Sequence, residues 1–397
     1  MKKYLSFIAI FILLICPTIF SIYEKNYTFA DEKDVVVQQI DDATEKQLND
    51  IDFSSLEDIL NGFTKTQLTI FGGNSFLAKI KDILSGNFDS SNGIWEATIS
   101  CFFATLIDVV PIISLIVAIA LIGSMVQGLR PSTNGKSMSN IIHFVTYGVI
   151  VVLVLSIVAR LISMTSNTIQ SLKAQMDGIF PILLTLLTAI GGTTSVSVYQ
   201  PAMALLSGFI LNIFTYLLLP IFIFSVVYNI LSNLSNNVKL EKITSFFQSS
   251  FKWIIGLVFT IFIAFVSIQG ITAGSIDGIS IKTAKYAIKS YVPILGSYLS
   301  DGMGIFLASS NLIKNTVGAA GLFLILATII LPVIEMVLFV LAFKLVAGII
   351  EPLGNRQVAN FISSLSNSLV LLVTLIIGVA FVYFILLGLI MCSANII

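Results

Sequence analysis

Residues 317–345 read VGAAGLFLILATIILPVIEMVLFVLAFKL, with Glu335 as the sole carboxylate and Lys344 as the sole cation. A helix needs about 20 apolar residues to cross the hydrocarbon core of a bilayer, and this stretch exceeds that. In a soluble protein such a segment must be walled in on every side, and the rest of the chain has no wall to offer. Of 397 residues, 56% are apolar and 11% charged, whereas a soluble domain carries about 25% charged residues. Mean hydropathy is +1.00. Disordered, nucleic-acid-binding and ordinary soluble classes are excluded on these grounds. The class is all-α, a polytopic bundle of transmembrane helices in contact with the lipid bilayer.

Five more strong spans lie around this one, at 98–127, 141–162, 203–232, 253–274 and 366–392. Two weaker stretches, 179–198 and 292–313, are interrupted by Gly, Ser and Thr, and each opens with a proline. If both dip in and return, the mature chain crosses six times; if both cross, eight. The excess of Lys and Arg that marks cytoplasmic loops gives seven residues against six either way, and leaves the choice open. Both counts put the C-terminus on the extracytoplasmic side.

The first hundred residues differ in kind. Lys2 and Lys3 precede an apolar run, Tyr4 to Phe20, and a Thr28-Phe29-Ala30 site, the pattern of a signal peptide over 1–30. An uncleaved anchor is the alternative. Residues 31–97 hold 13 Asp/Glu against 5 Lys, while 98–397 hold 13 Lys/Arg against 7 Asp/Glu. That asymmetry separates an acidic extracytoplasmic region, 31–97, from the membrane domain, 98–397. Ser54-Ser55-Leu56-Glu57 fits a capping box, with Gly62 as the stop. A second short helix is expected over Ser75–Leu84, its apolar face formed by Phe76, Leu77, Ile80 and Leu84. Two such helices cannot bury a core alone, so this region must lean on the membrane part or on a partner.

Pro181 and Pro293 are 112 residues apart, as are Pro220 and Pro332. The same offset carries PIL at 181 onto PIL at 293, and LLLPI at 217–221 onto IILPV at 329–333. The halves, about 141–252 and 253–364, read as an internal repeat in which these four prolines break helices. Matching interrupted segments point to a site between halves in transporter-like folds. The repeats are parallel with six crossings and inverted with eight. Proline in a spanning helix also needs protein nearby for the freed carbonyl, which favours a packed bundle or a homo-oligomer.

Ionisable residues at membrane depth are costly unless paired or hydrated. Glu335, Asp108 and Asp301 are therefore the candidates for intramembrane polar or passage-lining roles, while Arg160 and Lys344 close their spans near an interface. Ile279–Tyr291 reads as a surface-lying amphipathic helix carrying Lys282, Lys285 and Lys289. Cys16, Cys101 and Cys392 form no disulfide framework or metal pair. The single histidine, His143, sits near the start of a span. No HExxH, GxSxG, P-loop or dinucleotide-binding pattern occurs, so no catalytic residue, metal or cofactor is expected, and an enzyme is the poorest of the three classes.

The chain resembles the stage III sporulation protein AE family of endospore-forming bacteria across essentially its whole length. The resemblance is carried most specifically by KTAKYAIKSYVPILGSYLSDGMGIFLASSNLIKNTVGAAG at 282–321. FPILLTLLTAIGGTTSVSVYQPAM at 180–203 and LLPIFIFSVVYNILSNLS at 218–235 add to it. It implies a multi-pass protein of the mother-cell membrane around the forespore. There it would serve a secretion-like channel complex needed for forespore integrity and late forespore gene expression. It implies, as partners, the other stage III proteins of one operon, including a secretion-type ATPase, and indirectly the forespore's stage II sporulation protein Q across the intermembrane space. The alternative from the residues alone is a secondary transporter or permease with a site between the repeat halves.

Overall fold

The computed structural model describes residues 34–86, 90–128, 135–234, 240–291, 296–353 and 356–393. The targeting segment 1–30, Cys16 and Pro293 lie outside them. Among the described residues every regular element is helical.

Four short helices make the head: α1 Asp34–Asn49, α2 Ser54–Asn61, α3 Lys65–Phe71 and α4 Phe76–Leu84. The capping box expected at Ser54 is absent; the cap position is Phe53 and no side chain bonds there. Asp52 accepts the Ser54 N–H at 2.9 Å instead, which holds its carboxyl below the usual range. Glu57 is turned away to accept the Ser75 hydroxyl and the Phe76 N–H, both at 2.8 Å. One carboxylate thereby meets free amides at the start of α4 and ties α2 to it. The capping box lies one helix later, where Thr64 and Gln67 bond reciprocally. Gly72, at φ 85°, ends α3 in the left-handed region that glycine enters without penalty. Phe53, Phe71 and Phe76 close the small core, with ring centroids 5.7 and 6.2 Å apart.

The body follows as α5 Ser90–Gly128, α6 Gly135–Ala189, α7 Thr193–Ala204, α8 Leu219–Leu234, α9 Glu241–Tyr291, α10 Gly296–Ile350 and α11 Arg356–Cys392. Two π-helical segments, Leu205–Ile210 and Ile213–Leu218, join α7 to α8. Six helical stretches among the described residues are long and apolar enough to cross a membrane. They are Trp95–Val126, Phe144–Ala189, Thr193–Asn233, Glu241–Ser267, Ser300–Ile350 and Arg356–Cys392. Among the described residues neither weak stretch is a helix of its own: 179–189 are the end of α6, 193–198 the beginning of α7, and 296–313 the beginning of α10. Helices α6 and α10 have 55 residues each, roughly 80 Å at 1.5 Å per residue, far more than a bilayer requires. The expected surface helix at 279–291 is likewise the continuation of α9.

The prolines do not break these helices. Pro181 lies inside α6 and Pro332 inside α10. A chain of this polarity has no better place for its backbone groups than a helix, so the loss of one bond is tolerated. Pro220 follows six π-helical residues, which widen the turn that its ring would otherwise crowd. The break between α6 and α7 falls at Gly191, φ 90°, whose N–H bonds Thr188 O at 2.9 Å.

Contacts between helix ends fix the alternation. At one end Tyr199 Oη lies 2.6 Å from Ser393 Oγ, and the buried Lys314 donates to the Ser393 carbonyl. At the other, Tyr147 donates to Ile230 O at 2.9 Å and packs edge-on against Phe361. The head sits at the first end. Gln47 donates to Ser309 and accepts from Ser310 across α1 and α10, and Leu56 presses on Gly178 of α6, where an added Cβ would lie 2.8 Å away. Lys79 of α4, 2% exposed, stands 4.8 Å from the Phe323 ring of α10, and burial lowers its pKa. The head thus clasps α6 and α10, reaching as far along α10 as Phe323. Helix α11 runs through the centre: of its most apolar eighteen residues 72% are buried, against 22% in α5 at the periphery.

Candidate functional site

The site begins with α6, where the apolar run ends and a polar face appears at helical spacing. Arg160, Ser163, Asn167 and Ser171 recur every three or four residues and share one side of the helix. Helix α10 brings Thr328, Pro332 and Glu335, again four and three apart, to the opposite wall. Gln67 of the head lines the same cleft, which has a volume of about 470 Å³.

Across it a guanidinium nitrogen of Arg160 lies 2.6 Å from Glu335 Oε1. The arginine side chain is 61% exposed and the glutamate 17%, so the pair joins a sheltered carboxylate to a cation that still reaches water. Oε1 makes no aligned hydrogen bond among the described residues; the contact is electrostatic more than directional. Pro332 frees the carbonyl of Thr328, four residues back, in the turn that lines the cleft. The Thr328 hydroxyl donates to Leu324 O at 3.0 Å and accepts from Gln175 Nε2. A polar cleft is where a spanning helix can carry such a proline at low cost.

The expected site residues do not form one group. Glu335 takes Arg160 as its partner, so the two are joined and Arg160 is no mere terminus. Asp108, exposed on α5, is near enough for its charge to act on Glu335. Asp301 is exposed near the start of α10, about 50 Å along the same helix from Glu335 at 1.5 Å per residue; it cannot share their site. Pro332 lines the cleft, whereas Pro181 and Pro220 do not. His/Cys/Asp/Glu clusters able to hold a metal are absent among the described residues.

A second cleft, of about 380 Å³, opens at the end of the bundle away from the head. Three helices contribute polar stripes: Asn229, Ser232 and Asn233 from α8; Glu241, Thr244, Ser245 and Gln248 from α9; Asn360, Ser363, Ser364 and Asn367 from α11. At its floor Gln248 donates to Ser368 at 2.9 Å and Asn229 to Phe361 O at 3.4 Å. The spacing of i, i+3, i+4 and i+7 was open to view in the sequence. These residues carry almost no charge, the feature that makes a polar group stand out in an apolar span.

The family model for stage III sporulation protein AE matches residues 75–394. The stage III sporulation protein AE of Bacillus subtilis (strain 168) is 24% identical over 357 residues, covering 89% of this chain and 90% of that protein. No solved structure matches.

Proposed function

Because the chain belongs to the stage III sporulation protein AE family, we propose that it is a membrane component of the channel complex linking mother cell and engulfed forespore, and that it acts there as a platform. Family membership and six helices able to cross a membrane make it a multi-pass membrane protein of sporulation. The step to platform is carried by α11. This helix fills the centre of the bundle with Leu, Ile and Val side chains such as Leu369, Leu372, Leu375, Ile376 and Leu386, each wholly buried. Dry packing of that kind leaves little room for a lumen within one copy. One polar cleft lies between α6 and α10 and a second between α8, α9 and α11, so the two are built on different sets of helices.

In this reading the acidic head lies in the intermembrane space, pinned to α6 and α10, where it meets the other stage III proteins and, through them, stage II sporulation protein Q. The far-end cleft faces the mother-cell cytoplasm and the secretion-type ATPase. With each helix crossing once, the repeat halves run parallel. Passage of solutes or proteins then runs between chains, and late forespore gene expression depends on the assembly.

The test is timing and place. A functional fluorescent fusion should appear only after asymmetric division and gather at the engulfing membrane. Presence in vegetative membranes would favour the second reading, a secondary transporter, for which the two polar clefts are the supporting observation.

A further inference from the structure

Asp108 is the fourteenth residue of the span Trp95–Val126. Its side chain is exposed, and the surface around it is apolar in both directions along the helix. Phe103 and Ile107 are 58% and 68% exposed on the head side, and Val110 and Leu115 are 50% and 48% exposed on the other. A carboxylate in the middle of a lipid-facing stripe is costly unless an opposite charge or water reaches it. Among the described residues no cation lies within ion-pair distance of it: Arg160 is committed to Glu335 at 2.6 Å, and the remaining ion pair, Lys81–Glu45, is in the head. Asp108 is therefore left without a paired cation on the outward side of α5.

We propose that the outward face of α5 around Asp108 is a docking surface for a spanning helix of a different protein that carries a lysine or arginine at the same depth. Charge complementarity selects that occupant. The incoming cation pairs with Asp108, and the flanking Phe103, Ile107 and Val110 give the apolar contact that surrounds it. A second copy of this chain is the wrong partner. An isologous contact at this face sets Asp108 against its own symmetry mate, and like charges at close quarters repel. The low burial of α5, least among the six spans, leaves this face open to a neighbour.

The test uses the full-length chain in its sporulating host. Asp108→Lys should lower heat-resistant spore counts by about tenfold or more, the loss from one unfavourable charge contact at membrane depth. Asp108→Asn, which keeps the shape and removes only the charge, should lower them in the same direction. Purified Asp108→Asn in detergent should unfold no earlier than the parent, since it only removes a like charge near Glu335. Second-site changes that restore Asp108→Lys should replace a lysine or arginine by an acid in the spanning segment of another membrane protein. Unchanged spore counts for both variants overturn the proposal. So do restoring changes confined to this chain, or Ile107→Cys chains that cross-link to one another at this face. The proposal is separate from the platform reading: loss of spores with Glu335→Gln but not with either Asp108 variant would leave the cleft standing and remove the docking surface.

Discussion

Breaking the Arg160–Glu335 pair offers the sharpest measurement. Exposed ion pairs are worth about 0–1 kcal/mol, whereas removal of one partner from a buried pair costs about 3–5 kcal/mol. The carboxylate is 17% exposed and the guanidinium 61%, so this pair falls between those limits. Glu335→Gln keeps volume and removes charge, and its cost is therefore set at about 1–2 kcal/mol, nearer the lower bound because a solvated arginine can turn to water when its partner is lost. Arg160→Gln should cost a similar amount or more, since Glu335 Oε1 is buried with no hydrogen-bond partner among the described residues. The pair should couple: in a double-mutant cycle the combined variant loses less than the sum, by about 1 kcal/mol. Thermal unfolding of the purified protein in a mild detergent measures all four corners, with urea titration as a check where unfolding is irreversible. Strict additivity, to within about 0.3 kcal/mol, would refute the assignment of these two side chains as partners. Heat-resistant spore counts then give the functional corner, for a structural pair should be rescued by the exchange Arg160→Glu with Glu335→Arg.

Two further outcomes follow from the packing. Gly123→Val should separate α5 from α6 at the far end, because an added Cβ at Gly123 meets Thr146 Cγ2 at 2.6 Å and its short, branched side chain has no way to move aside; a loss of about 1–3 kcal/mol in the same unfolding assay is expected, and an unchanged midpoint would show the helices closing by another route. Burial lowers the pKa of Lys79 from 10.5, so the unfolded chain holds more protons in the interval below that value and stability should rise with pH there. Lys79→Met should flatten that rise in unfolding scans taken from neutral pH toward 10.5, and an identical slope in both proteins would show that the head–body contact at Phe323 does not depend on this ammonium.

Composition and length were enough for the class of fold. With 56% apolar residues and spans longer than a bilayer needs, a helix is the conformation in which a chain in lipid satisfies its own backbone. The six strong segments each became part of a spanning helix for that reason, and Ser75–Leu84 was legible from its cap and its apolar face. Helix breaks were read wrongly from proline. Proline costs one hydrogen bond, while leaving the helix in lipid exposes several, so Pro181 and Pro332 stay helical and the true break sits at Gly191. Glu335 was visible as an isolated acid in an apolar run. Its partner was not, because Arg160 lies 175 positions away in the chain and only the antiparallel packing of α6 on α10 brings them together. The same holds for the head. Its charge marked it as a separate region, but its embrace of α6 and α10 depends on contacts such as Gln47 with Ser309 and Lys79 with Phe323, which no local periodicity encodes. Sequence determined which residues go into lipid, since transfer free energy is a sum over neighbours along the chain. Tertiary structure decided which polar groups meet inside it, since pairing at low dielectric is settled by distance across helices.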